Sequence, residues 1–135
     1  MKQSPSHTPA PQQTPLLKRL TALNVLIPHQ EEILRYLDEY APLGKPLVRI
    51  CAKLVQEFGT DVELSLELYK DPEIDNRYLS LYVRLEKYDT DILQRIDTAT
   101  KPFDKQLEKA PGYLLVTTDF RRPRGKDAIR LESLD

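Results

Sequence analysis

The stretch VELSLELYKDPEIDNRYLSLYVRL, Val62 to Leu85, decides how this chain is read. Val62, Leu64, Leu66 and Leu68 alternate with Glu63, Ser65, Glu67 and Tyr69. After the interruption, Leu79, Leu81, Val83 and Leu85 alternate with Tyr78, Ser80, Tyr82 and Arg84. A period of two is the mark of a strand with one dry face and one wet face. A loop centred on Glu73 and Ile74 sets Leu64 opposite Val83, Leu66 opposite Leu81 and Leu68 opposite Leu79. On the wet face the same register matches Glu63 with Arg84, Ser65 with Tyr82 and Tyr69 with Tyr78. An opposite-charge pair and an aromatic pair in register each contribute a few tenths to about 1 kcal/mol, so the pattern predicts a hairpin.

The acids between the strands, Asp71, Glu73 and Asp75, invite a metal or acid-base reading. A calcium loop starting at Asp71 needs glycine at its sixth place and glutamate at its twelfth, and those places hold Asn76 and Tyr82. Asp-Pro and Asp-Asn are turn formers in their own right. The turn reading is preferred, and a metal-dependent enzyme using this cluster with Asp119 is the weakest of three functional classes.

Outward from the hairpin the period changes to that of helices. Leu16, Leu20 and Leu23 follow Thr14 and Pro15, with Asn24 as a stop. Pro28 opens PHQEEILRYLDEYA, with Glu31 and Glu32 in its first turn. Pro46 opens the best amphipathic pattern, through Leu47, Ile50, Cys51, Leu54, Val55 and Phe58 to Gly59. A further helix from Asp89 or Thr90 carries Ile92, Ile96, Ala99, Phe103 and Leu107 on one stripe. Pro102 inside it predicts a kink or a short restart. YLLVTTDF is a third strand, expected to be covered on both faces at Leu114, Leu115 and Val116.

The expected fold is α+β and two-layered, in the order ααα-ββ-α-β. A small three-stranded, mostly antiparallel sheet with a hairpin is covered by helices. A right-handed crossover makes the third strand parallel to the second, beside either it or the first. Residues 1–14, with four of the chain's eleven prolines in the first fifteen positions, read as a disordered arm. Residues 15–120 read as one domain, and 121–135 as a basic tail.

The net charge of −1 divides unevenly. Residues 1–27 carry three basic and no acidic groups, residues 28–120 twelve and eighteen, and residues 121–135 five and three. An acidic body disfavours phosphate backbones, so only the ends suit nucleic acid. No apolar run exceeds four residues, too few for a membrane helix. One cysteine excludes an internal disulfide, and with no signal-peptide pattern the cytoplasm is the expected location. His7 and His29 are too few and too far from Cys51 for a zinc site or a triad, and the four glycines form no phosphate loop. Neither catalytic residues, metal nor cofactor are expected.

The outward tyrosines carry the leading functional reading. Tyr69, Tyr78 and Tyr82 stand among Glu63, Glu67 and Arg84, and tyrosine offers large contact area with few rotors and a polar tip. That face, or a free strand edge, predicts a protein-protein interaction module, with homodimerisation as one way to cover an edge. The alternative is a nucleic-acid-associated protein using Arg121, Arg122, Arg124 and Lys126 beside Phe120. LELYKDPEIDNRYLSLYVRLEKYD together with LLVTTDFRRP resembles segments of small uncharacterised bacterial proteins, some grouped with partner-binding proteins of the toxin-antitoxin kind. The resemblance spans residues 58–123 and implies no catalytic residue.

Overall fold

A computed structural model describes residues 13–73 and 76–124 of the chain. Helix α1 is Gln13–Ala22, α2 is Gln30–Glu39 and α3 is Gly44–Phe58. Strands β1 (Glu63–Asp71) and β2 (Asn76–Arg84) form the hairpin. Helices α4 (Ile92–Thr100) and α5 (Asp104–Lys109) then lead to β3, Leu114–Thr117. The fold is α+β in the expected order. The arm expected over residues 1–14 lies outside the described residues up to position 12, and α1 already includes Gln13. Of the basic tail, residues 121–124 are described.

The terminators are local chemistry. Helix α1 ends where Asn24 takes a φ of 61°, the Asn24 N–H donates to Thr21 O and the Val25 N–H to Leu20 O. This is the paired-bond end that an asparagine in the left-handed region allows, and Val25 and Leu20, both buried, stand at its hydrophobic positions. Pro102 divides the fourth helical pattern by a 3₁₀ turn over Lys101–Phe103, and α5 restarts at once. The apolar stripe survives because Phe103 and Leu107 still pack against the core.

β1 and β2 pair antiparallel over nine residue pairs from Glu63 with Arg84 to Asp71 with Asn76, the register that the alternation predicts. At the turn, the Glu73 N–H donates to Asp71 Oδ1 at 3.0 Å, so Asp71 serves the backbone. Asp75 lies outside the described residues.

β3 lies beside β2, parallel to it, in the order β1-β2-β3. Of the two placements open from sequence, the one beside β1 is blocked. The Leu26 N–H donates to Leu64 O and Leu26 O accepts from the Leu66 N–H, both at 2.8 Å, so the Val25–Ile27 connector occupies that edge. Pro28, without an N–H, cannot continue the pairing.

The helices cover the leucine face. Leu64, Leu66, Leu79, Leu81 and Val83 are buried with Ile33 and Leu37 of α2, Leu47, Ile50, Cys51 and Leu54 of α3, and Ile92 and Ile96 of α4. Each fully buried aliphatic side chain contributes about 1.5–3 kcal/mol of transfer free energy. Tyr36 of α2 joins the layers: its hydroxyl accepts from the Tyr113 N–H at 3.0 Å and donates to Arg77 O at 3.4 Å.

Candidate functional site: the helix-free face of the sheet

The alternation that sends the leucines into the core sends Glu63, Ser65, Glu67, Tyr69, Tyr78, Ser80, Tyr82 and Arg84 to the opposite face, which is helix-free among the described residues. β3 extends that face, because pairing of Ser80 with Leu115 and of Tyr82 with Thr117 places Leu115 and Thr117 on it. Tyr113 and Asp119 share their parity. Of the β3 residues expected to be covered on both sides, only Leu114 is fully buried. Leu115 is half-buried and stands outside the core cluster.

The face has two unlike ends. At the hairpin-turn end Tyr69 stacks on Tyr78 with ring centroids 4.8 Å apart, and Tyr113 meets Tyr78 edge-on at 5.4 Å. Tyr69 and Tyr113 are 42% and 56% exposed. Burial, and then the neighbouring Tyr69, push the Tyr78 phenol above its ordinary pKa.

The other end is an ion cluster around Arg84, which is 1% exposed. Its Nη1 donates to Glu63 Oε1 at 3.1 Å and its Nη2 to Glu67 Oε2 at 3.3 Å. Asp119 takes the fork side-on, Nε to Oδ1 at 3.2 Å and Nη2 to Oδ2 at 2.9 Å. The guanidinium also sits 5.7 Å from the Tyr82 ring centroid. Burial works to lower the Arg84 pKa, but the hydrogen bonds from Asp119 and Glu63 outweigh it and raise it. For Asp119 burial is the largest influence and works upward, but the hydrogen bonds and charges of Arg84 and Arg121 together outweigh it and hold the carboxyl below its ordinary value of 3.8. A buried guanidinium persists only with such partners.

The reason this end of the expected wet face is dry lies after β3. Phe120 takes a φ of 58°, the Phe120 N–H donates to Thr118 Oγ1 at 3.0 Å and the Arg121 N–H to Asp119 Oδ1 at 3.2 Å. The Tyr88 hydroxyl bonds to Arg121 O, and the Tyr88 and Phe120 rings lie 5.5 Å apart. The chain thus turns back as a strap over Arg84, and the Arg124 N–H reaches Glu63 Oε1 at 3.0 Å.

The sequence-derived contact residues therefore divide. Tyr69, Tyr78 and Tyr82 stand on the face, whereas Glu63 and Arg84 are buried in the cluster and Glu67 is at its border with its side chain 32% exposed. Arg121 and Arg122 are exposed, Arg124 is half-buried, and Lys126 lies outside the described residues. Tyr113 and Leu115 were absent from the sequence-derived set. The signal for them was the same two-residue period, Tyr113, Leu115, Thr117 and Asp119, hidden by the apolar run at 114–116.

Other chemistry finds little support among the described residues. Cys51 is fully buried, and burial pushes its thiol pKa up to about 12. His29 lies in a shallow groove with Glu32 and Lys70 at the β1 edge, where Lys70 pairs with Glu32 at 2.6 Å. Among the described residues no group of three or more His, Cys, Asp or Glu side chains could hold a metal ion, and no helix is long and apolar enough to cross a membrane. Compared with protein-family models, curated proteins and solved structures, the chain gives no match.

Proposed function

We propose that this protein is a protein-interaction module of the cytoplasm and that the helix-free sheet face is its contact surface. The observation that supports the reading is the aromatic array of Tyr69, Tyr78 and Tyr113, continuous with half-buried Tyr82 and Leu115. Stacked rings on a rigid sheet present area whose side-chain entropy is already spent, which favours them as contact anchors. The bordering Glu67 and the ion cluster favour a partner with a cationic rim. A second copy of the chain is one such partner class, and the four-residue edge strand β3 offers it a place to pair.

The test compares capture by the full-length protein and by its Tyr69→Ala/Tyr113→Ala variant, in which both replaced rings are exposed. A stoichiometric protein partner retained by the parent after nuclease treatment and lost by the variant, at unchanged melting temperature, supports the reading. Capture indifferent to the variant overturns it. Capture of nucleic acid lost with Arg121→Ser/Arg122→Ser and steeply weakened by salt would replace it with the nucleic-acid reading, to which the exposed Arg121, Arg122 and Phe120 lend support.

A further inference from the structure

We infer that the protein forms a two-fold symmetric homodimer by pairing the outer edge of β3 with the same edge of a second copy. The inference deepens the contact-surface reading by committing to a partner, and rests on it in taking the sheet as an interface. One edge of the sheet is closed. The Leu26 N–H and C=O are spent on Leu64 and Leu66, the Val25 N–H on Leu20, and Pro28 has no N–H to offer. At the other edge Leu79 pairs with Leu114 and Leu81 with Val116, and the Leu79 N–H donates to Tyr113 O at 3.0 Å. In such a parallel ladder the pairing groups of Tyr113, Leu115 and Thr117 face β2, and the N–H and C=O of Leu114 and Val116 face outward. Among the described residues nothing bonds to these outward groups. The strand is short, but its LLVT carries no charge, proline or bulge to turn a second strand away. A sheet with one open edge closes as a pair, whereas one with two can propagate.

The register follows from which groups are free. Edges related by a two-fold axis normal to the sheet pair antiparallel, and their hydrogen-bonded pairs must join outward residues. Setting Leu114 of each chain opposite Val116 of the other uses both outward residues of the strand, each pair exchanging both N–H···O bonds. Leu115 then stands opposite its own copy on the helix-free face and Tyr113 opposite Thr117, so the two helix-free faces become one surface. Antiparallel pairing also brings the C-terminal end of one β3 to the N-terminal end of the other. There a groove of about 410 Å³ is lined by Leu107, Ala110 and Leu114, with Asp104 and Glu108 as its charged groups. The end that arrives carries Phe120, 57% exposed, and the exposed cation Arg122. An aromatic ring for the apolar wall and a cation for the carboxylates make the two ends complementary.

Sedimentation equilibrium of the full-length protein from micromolar to millimolar concentration should show a monomer-dimer equilibrium. A monomer throughout, or growth beyond the dimer, overturns the inference. Leu115 is half-buried and outside the core cluster, so it can be replaced without disturbing the core. Leu115→Lys and Leu115→Glu should each be monomeric, because like charges then stand directly opposed, and their equimolar mixture should dimerise again. Circular dichroism spectra matching the parent's establish that both fold. Either variant dimerising alone as tightly as the parent, or no dimer on mixing, overturns the inference. Leu115→Cys should oxidise to a disulfide-linked dimer while Thr117→Cys, displaced along the strand from its copy, does not, and buried Cys51 takes no part. Equal cross-linking at the two positions overturns the register and the inference with it. Capture of other proteins is read separately. A monomeric parent that captures one through Tyr69 and Tyr113 overturns the dimer and leaves the contact-surface reading. A dimer indifferent to Tyr69→Ala/Tyr113→Ala, with no other protein captured, removes that reading of the face and leaves the edge pairing intact.

Discussion

Arg84 and Asp119 meet side-on, through Nε to Oδ1 at 3.2 Å and Nη2 to Oδ2 at 2.9 Å, and this pair ties the end of the hairpin to the chain that leaves β3. It is the arrangement that converts a solvent-facing strand end into a buried one.

Removing the cation leaves Glu63, Glu67 and Asp119 crowded without it. Arg84→Met should cost about 3–5 kcal/mol at neutral pH, the usual penalty for breaking a buried ion pair from one side. Crowded carboxylates bind protons more readily than in the unfolded chain, so this variant alone should gain stability as pH falls from 7 toward about 5. Urea titrations of both proteins across that range check the sign, and parallel curves would contradict the account.

In the parent the linkage runs the other way. The Asp119 carboxyl is depressed in the folded state, so its contribution is fully present above its ordinary value of 3.8 and is lost as pH falls below that through the folded value. Asp119→Asn should lower stability at neutral pH and flatten this acid limb. Acid unfolding followed by tyrosine fluorescence measures both.

Tyr36 is a hinge pin between layers. Tyr36→Phe keeps the packing but leaves the part-buried Tyr113 N–H without its acceptor, at a cost of about 0.5–1.5 kcal/mol. Amide exchange should show the loss concentrated at Tyr113 and Leu114 rather than spread over α2.

Gly112 precedes β3 with a φ of 87°, and a Cβ there would stand 2.8 Å from Cγ of Tyr40. Gly112→Ala should destabilise by at least about 1–3 kcal/mol, since strain and overlap coincide. Gly59 has a similar φ of 90° with nothing within 4 Å of a Cβ, so Gly59→Ala incurs the backbone strain alone. Thermal melts of the two variants should therefore rank Gly112→Ala as the more damaging.

Cys51 should resist thiol reagents in the native state, because its buried thiol has a pKa pushed up to about 12 and little thiolate exists near neutrality. Reaction with a disulfide reagent should appear only when denaturant is added.

What the sequence determined by itself was whatever depends on period and on short-range stereochemistry. The alternation at Val62–Leu68 and Leu79–Leu85 set the hairpin and its register, because a one-residue slip would carry every leucine out of the core. Asn24, Gly59 and Pro102 set helix ends, because each acts on its own backbone. The tertiary structure alone decided where β3 pairs, since that turned on the Leu26 connector already holding the edge of β1. It also decided the fate of Glu63 and Arg84. Two charges on a wet strand face read as exposed until the strap at Asp119–Arg124, more than thirty residues after Arg84, closes over them. Periodicity records which face a side chain takes, and burial depends on what distant chain covers that face.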